Sequence, residues 1–130
     1  MNLLLCNHPW EDYRKTLEFI GFASEKEREL ISKGDKIVYF SSGLVAGIFE
    51  AAGHGENAFR GWAESRPFQI RLKPVDVPAV DLVAKPLRYK VQLESPLKGS
   101  SSLYRLSAQE FGKIELAIRG KKKVRLNKNH

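Results

Sequence analysis

The chain has 130 residues, with 22 Lys+Arg against 15 Asp+Glu, a formal net charge of +7 and 42% apolar content. That length suits one domain with a real core, and the composition is too apolar for intrinsic disorder. The longest apolar runs, Leu3–Cys6 and Ile37–Phe40, fall far short of a membrane span, and residues 1–10 carry no basic leader. The expectation is an intracellular, cytoplasmic protein with no membrane partner, in which the lone Cys6 forms neither an internal disulfide nor a thiolate zinc site.

Leu3–Cys6 reads as a buried strand. Pro9 suits a first helical position, and Trp10, Tyr13, Leu17 and Ile20 then follow at spacings of one helical face, with Gly21 as the stop. Glu11–Lys15 and Arg14–Glu18 support that helix at i,i+4. Ser24-Glu25-Lys26-Glu27 has the pattern of a capping box opening a short second helix. Gly34-Asp35 marks a turn, Lys36–Ser41 a strand, Ser42-Gly43 a hairpin turn, and Leu44–Ala51 the returning strand, with a bulge or a close backbone approach at Gly47.

Residues 53–65 are predicted to form a glycine-rich loop. Phe68, Ile70 and Leu72 alternate with Gln69, Arg71 and Lys73, the pattern of a strand buried on one face. Pro74 and Pro78 bracket a bend or edge segment, and Arg88–Glu94 alternates again as a strand. Pro96–Ser102 is a loop and Leu103–Leu106 a short apolar piece. A second capping box, Ser107-Ala108-Gln109-Glu110, opens a last helix with an inner stripe of Phe111, Ile114 and Ile118, ended by Gly120. Short strands without a βαβ rhythm predict an α+β fold, a small mixed or antiparallel β-barrel flanked by helices. Residues 1–119 form the domain and 120–130 a basic tail.

Six of the seven net positive charges lie in residues 119–130, a stretch without an acid. Lys121, Lys122 and Lys123 are therefore candidate phosphate ligands, alongside Arg66, Arg71 and Lys73 in the body. No catalytic or metal constellation stands out. His8, His54 and His130 lack ligand spacing, and Cys6 beside His8 lies in an apolar strand where burial makes a thiol inert. No cofactor is implied.

The stacking residues carry more information. Trp62 and Phe59 lie in or beside the glycine-rich loop, and Trp10 follows Asn7 and His8 at the end of the first strand. Aromatic faces near amides and hydroxyls can sandwich an unstacked base and bond its edge. The candidate base pocket comprises Asn7, Trp10, Ser41, Ser42, Phe59, Trp62 and Ser102.

Five segments in order make the chain resemble the EVE domain, a relative of the YTH domain in the PUA-like superfamily. They are Cys6-Asn7 followed by Trp10; Lys33–Phe40, similar to "kpGDkvvfY"; Val45–Glu50, similar to "ivGiyeV"; Pro67–Val75, similar to "yPyrvkikpi"; and Gly99-Ser100-Ser101 through Phe111. The resemblance implies a PUA-like barrel and a non-catalytic module that holds a flipped, modified base of DNA or RNA in an aromatic cage. Ile20 stands where that family commonly carries a cage tryptophan. This leaves Trp62 or Trp10 to supply the π-face, or the cage weaker or lost. Two other readings stand beside it: an ASCH-like nucleoside- or RNA-processing enzyme, for which no Lys/Glu/Thr trio is assignable around the only threonine, Thr16, and an accessory domain with a vestigial pocket.

Overall fold

The computed structural model describes residues 1–75 and 80–127, and the side chains of residues 1–75 and 81–120. In chain order the elements are β1 (Leu3–Asn7), α1 (Trp10–Lys15), β2 (Phe19–Phe22), α2 (Glu25–Glu29), β3 (Lys36–Ser41), β4 (Leu44–Glu56), β5 (Phe68–Pro74), α3 (Val80–Ala84), β6 (Leu87–Arg88), β7 (Leu103–Arg105) and α4 (Ala108–Asn127). The result is a mixed α+β fold. Its sheet runs β2-β5-β4-β3-β1-β7, with β6 paired to the start of β4. Among the described residues only β1 and β3 pair in parallel, and the other pairs are antiparallel. Among the described residues no pairing joins the β2 and β7 edges, so the sheet is open where the sequence predicts closure.

The uninterrupted apolar runs have a direct explanation. β1 and β3 lie in the middle of the sheet and bury both faces. Leu4, Cys6, Ile37 and Tyr39 join a core with Tyr13, Ile20, Phe22 and Ile70. Leu5, Val38 and Phe40 join a second core with Leu82, Leu106, Phe111, Ile114 and Ile118. The predicted stripe of the last helix is thus its buried face. Its predicted cap also forms: the Glu110 amide donates to Ser107 Oγ at 3.0 Å.

The β3–β4 hairpin follows the sequence closely. Ser42 and Gly43 both have positive φ, 49° and 82°, as a type I′ turn requires. The register shifts opposite Tyr39 and Phe40, where β4 bulges beside Gly47. β4 shifts register a second time between Ala51 and Gly53 and continues to Glu56. The irregular segment after β4 therefore starts at Asn57, later than the predicted 53–65 loop.

Several other expectations are corrected. Pro9 is the N-cap of α1 and lies just before its first residue. The helix stops at Lys15 because Thr16 is extended, and Phe19–Phe22 leaves it to pair with Phe68–Arg71. Gly21 is thus a strand residue and no helix stop. Glu11 pairs with Arg14 at i,i+3, 3.3 Å apart on the exposed side. Ser24 takes the N-cap position of α2 without a side-chain cap bond. Glu27 turns instead toward the 97–102 loop, where its carboxylate accepts from the Ser100 and Ser102 hydroxyls and the Ser101 amide.

Of the predicted Arg88–Glu94 strand only Arg88 pairs, in the two-residue β6 with Leu87. Tyr89, Val91 and Leu93 still pack on the second core. α3 has no counterpart in the sequence reading. α4 runs through Gly120 to Asn127, past its predicted end. Pro78 and His130 lie outside the described residues, as do the side chains of Lys121, Lys122 and Lys123.

Candidate functional site

The most distinctive surface feature is built around the loop between β4 and β5. Its ends are tied by the Asn57 amide donating to the Pro67 carbonyl at 2.9 Å. Inside the loop, Gln69 acts as a surrogate strand. Its amide accepts from Phe59 N at 3.0 Å and donates to the carbonyls of Phe59 at 2.6 Å and Arg66 at 2.9 Å. Gln69 is fully buried, although the alternation placed it on the polar face. A central strand residue can turn a polar side chain inward when the buried backbone it meets needs partners.

This scaffold carries Trp62, which is 9% exposed. Phe59 meets it edge-on with centroids 4.8 Å apart. The inner edge of the indole lies on Gly21 of β2. A Cβ on Gly21 would come within 2.7 Å of Trp62 Cη2 and of Arg66 Cβ, and closer still to Trp62 Cζ3. The missing side chain is what admits the ring.

Trp62 separates two spaces. Outside is an open groove of about 490 Å³ lined by Asn57, Phe59, Arg60, Glu64, Ser65 and Arg66. Inside is a cavity of about 10 Å³ walled by His8, Asp12, Tyr13, Phe19, Tyr39 and Gly21, among others, on the scale of one water molecule.

The lining of the inner cavity is mainly apolar, but four of the residues around it, His8, Asp12, Tyr13 and Tyr39, carry polar groups. Arg66 bridges three elements: Nη2 lies 2.9 Å from Asp12 Oδ2 as an ion pair without an aligned hydrogen bond, and Nη1 donates to the His8 ring at 3.0 Å and to the Gly21 carbonyl at 3.2 Å. Burial, then the adjacent Arg66 charge, lowers the His8 pKa to about 3. The ring is therefore neutral and accepts from Arg66. Burial raises the Asp12 pKa, and the Arg66 charge offsets this only in part. The Tyr13 hydroxyl accepts from the His8 amide at 3.0 Å and faces the carbonyls of Cys6 and Phe40 at 2.6 and 2.9 Å. Tyr39 stacks on Tyr13 at 4.3 Å, and its own buried hydroxyl has no partner. Desolvation pushes the Cys6 thiol well above its usual range, which leaves it un-ionised. Among the described residues no three His, Cys, Asp or Glu side chains come together to hold a metal ion.

The sequence-derived pocket is only partly assembled. Phe59 and Trp62 share one groove. Trp10 lines a different one with Arg14, Val83, Ala84 and Pro86, and packs edge-on against Tyr13 at 6.0 Å. Asn7 and Ser102 are neighbours through a 2.8 Å backbone bond, but the Ser102 hydroxyl is committed to Glu27. Ser41 is buried and Ser42 forms the exposed hairpin turn. None of these four lines the spaces beside Trp62.

Of the phosphate candidates, Arg66 points inward, with its side chain only 12% exposed. Its guanidinium is paired with Asp12 at 2.9 Å. Arg71 is exposed, with its guanidinium 5.7 Å from the Phe19 ring, and Lys73 pairs with Glu50 at 2.7 Å. His8, Asp12, Tyr13 and Tyr39 were not singled out together. They come from three elements that only the fold unites, and Tyr39 reads as one apolar residue in a strand.

No protein-family model and no curated protein matches the chain. Solved structures similar to it include protein Atu2648 from Agrobacterium tumefaciens, at 15% identity and a TM-score of 0.45 over 92% of each chain.

Proposed function

We propose that the chain is a non-catalytic nucleic-acid-binding module that accepts one extruded, chemically modified base in the cleft around Trp62. On this reading the mixed sheet and its flanking helices are a PUA-like fold of the EVE type. The observation that carries the proposal is the position of Trp62. A loop-borne indole stands between an open groove and a small inner cavity ringed by His8, Asp12, Tyr13 and Tyr39, with a second aromatic ring, Phe59, edge-on beside it. Base recognition needs a π-face for stacking and a few buried polar atoms for the base edge. Trp62 supplies the π-face, and His8, Asp12, Tyr13 and Tyr39 behind it supply the polar groups.

Arg60 at the groove rim, Arg71 on the exposed surface and the basic chain end would hold the phosphates flanking the base. Arg66 would serve the pocket wall. The test is a titration with single-stranded DNA and RNA, each with and without one methylated base, at two salt concentrations. The expected outcome is salt-dependent binding that is tighter for one modified strand. Equal affinity for modified and unmodified strands at both salts would refute base reading and leave only charge-driven binding.

A further inference from the structure

We infer that Trp62 plugs its own binding site: in the free protein the indole occupies the slot on Gly21 that a purine base takes in the bound state. The inference rests on the base-binding reading and names the class of base.

Three observations carry it. First, the inner cavity of about 10 Å³ is far too small for a base, so no base can reach the polar groups around it while the indole lies on Gly21. Second, the slot is fitted to a flat fused ring. Indole and the purines share the same six- and five-membered frame, and the ring edge seats where Gly21 has no side chain. Third, Tyr39, 1% exposed, contributes to the cavity wall and leaves its hydroxyl without a partner. An unmade buried hydrogen bond costs about 1–3 kcal/mol. The apolar edge of the indole does nothing to offset that cost, whereas the nitrogen-bearing edge of a purine can.

The loop supplies the means of exchange. Phe59 and Arg66 are pinned by Gln69, and the stretch between them holds no helix or strand. The outer groove, about 490 Å³, has room for the indole once it leaves Gly21. There it would cover the outer face of the incoming base, so the same residue is plug first and stacking lid afterwards.

Two measurements test this. Trp62→Ala opens the slot without any polymer. Its melting temperature is expected to rise by about 5 °C with adenine at tenfold excess over Kd, less with cytosine, and wild type should not respond. Adding Tyr39→Phe should reduce the adenine effect. Trp62→Leu replaces the alanine variant if that one does not fold. No rise in the open variant, or an equal rise in wild type, overturns the plug. In the second measurement, a strand carrying one methylated adenine is followed by stopped flow. Trp62→Ala is expected to associate about tenfold faster than wild type and also to dissociate faster. Equal association rates overturn the plug. Entry of adenine with no strand binding to either protein upholds the plug and removes the nucleic-acid reading.

Discussion

The Arg66 guanidinium lies 2.9 Å from the Asp12 carboxylate, and the two side chains are only 12% and 14% exposed. This pair fastens the β4–β5 loop to α1, and through the same guanidinium to His8 and the Gly21 carbonyl. Removing one member of a buried pair strands the other charge. Arg66→Met is expected to lower stability by roughly 2–3 kcal/mol, under the 3–5 kcal/mol seen for full burial. Asp12→Asn added to Arg66→Met should recover part of the loss. Urea unfolding of the single and double variants checks this, and strict additivity would show that the two groups do not interact.

The buried neutral His8 predicts a pH dependence with a definite sign. Its pKa is about 3 in the folded protein, against about 6.5 in an unfolded chain. Below pH 6.5 the unfolded state binds the proton and the folded state does not. The His8 contribution is therefore complete above about pH 6.5 and is lost as pH falls toward 3. Asp12, with a raised pKa, acts in the opposite direction near the carboxylate range. The His8 slope is at most about 1.4 kcal/mol per pH unit. Urea midpoints between pH 7 and 4.5 should fall in the wild type and fall less steeply in His8→Gln. Parallel slopes would place the acid sensitivity elsewhere.

Much of the scaffold was legible because local chemistry and tertiary structure agree. Ser42-Gly43 favours the turn that β3 and β4 need, and Ser107 caps the helix whose Phe111, Ile114 and Ile118 face the core. The first helix was over-extended because Trp10, Tyr13, Leu17 and Ile20 satisfy a helical period by coincidence. Phe19–Phe22 instead completes the sheet against β5, and pairing outweighs local spacing. For the site, a tryptophan on a glycine-flanked loop was a readable signal. Its floor was not, since His8, Asp12 and Tyr39 meet only after β1 and β3 pair in parallel and α1 folds across them.

Gly21 is expected to be intolerant of even one methyl group. Its Cβ would overlap the Trp62 ring and the Arg66 side chain, and a strand φ gives no compensating strain relief. Overpacking of this kind costs about 1–3 kcal/mol. In a Trp10→Phe background Trp62 is the sole indole, so acrylamide quenching reports its position directly. Gly21→Ala should raise the quenching constant severalfold while the far-ultraviolet circular dichroism is kept. A folded variant with the ring still shielded would mean that the loop backbone, and not the indole, absorbs the change.

Gln69 offers the cleanest separation of loop order from core stability. Its side chain is fully buried and serves three backbone groups, Phe59 N, Phe59 O and Arg66 O. Gln69→Glu keeps the acceptor for Phe59 N but places oxygen against two carbonyls. Gln69→Leu keeps the volume and orphans all three groups. Each unsatisfied buried group costs about 1–3 kcal/mol if the loop stays in place. The loop can instead lift away and hydrate them, because residues 60–65 lie outside the sheet. The global loss in Gln69→Leu should therefore stop at roughly 2–3 kcal/mol, below the sum for three orphans. Amide exchange at Phe59 and at Asn57, whose amides donate to Gln69 and to the Pro67 carbonyl, should accelerate far more than at Ile37 or Val38 in β3. Uniform acceleration across both segments would show that the loop and the central sheet open as one unit, and that Trp62 cannot leave its seat without unfolding the domain.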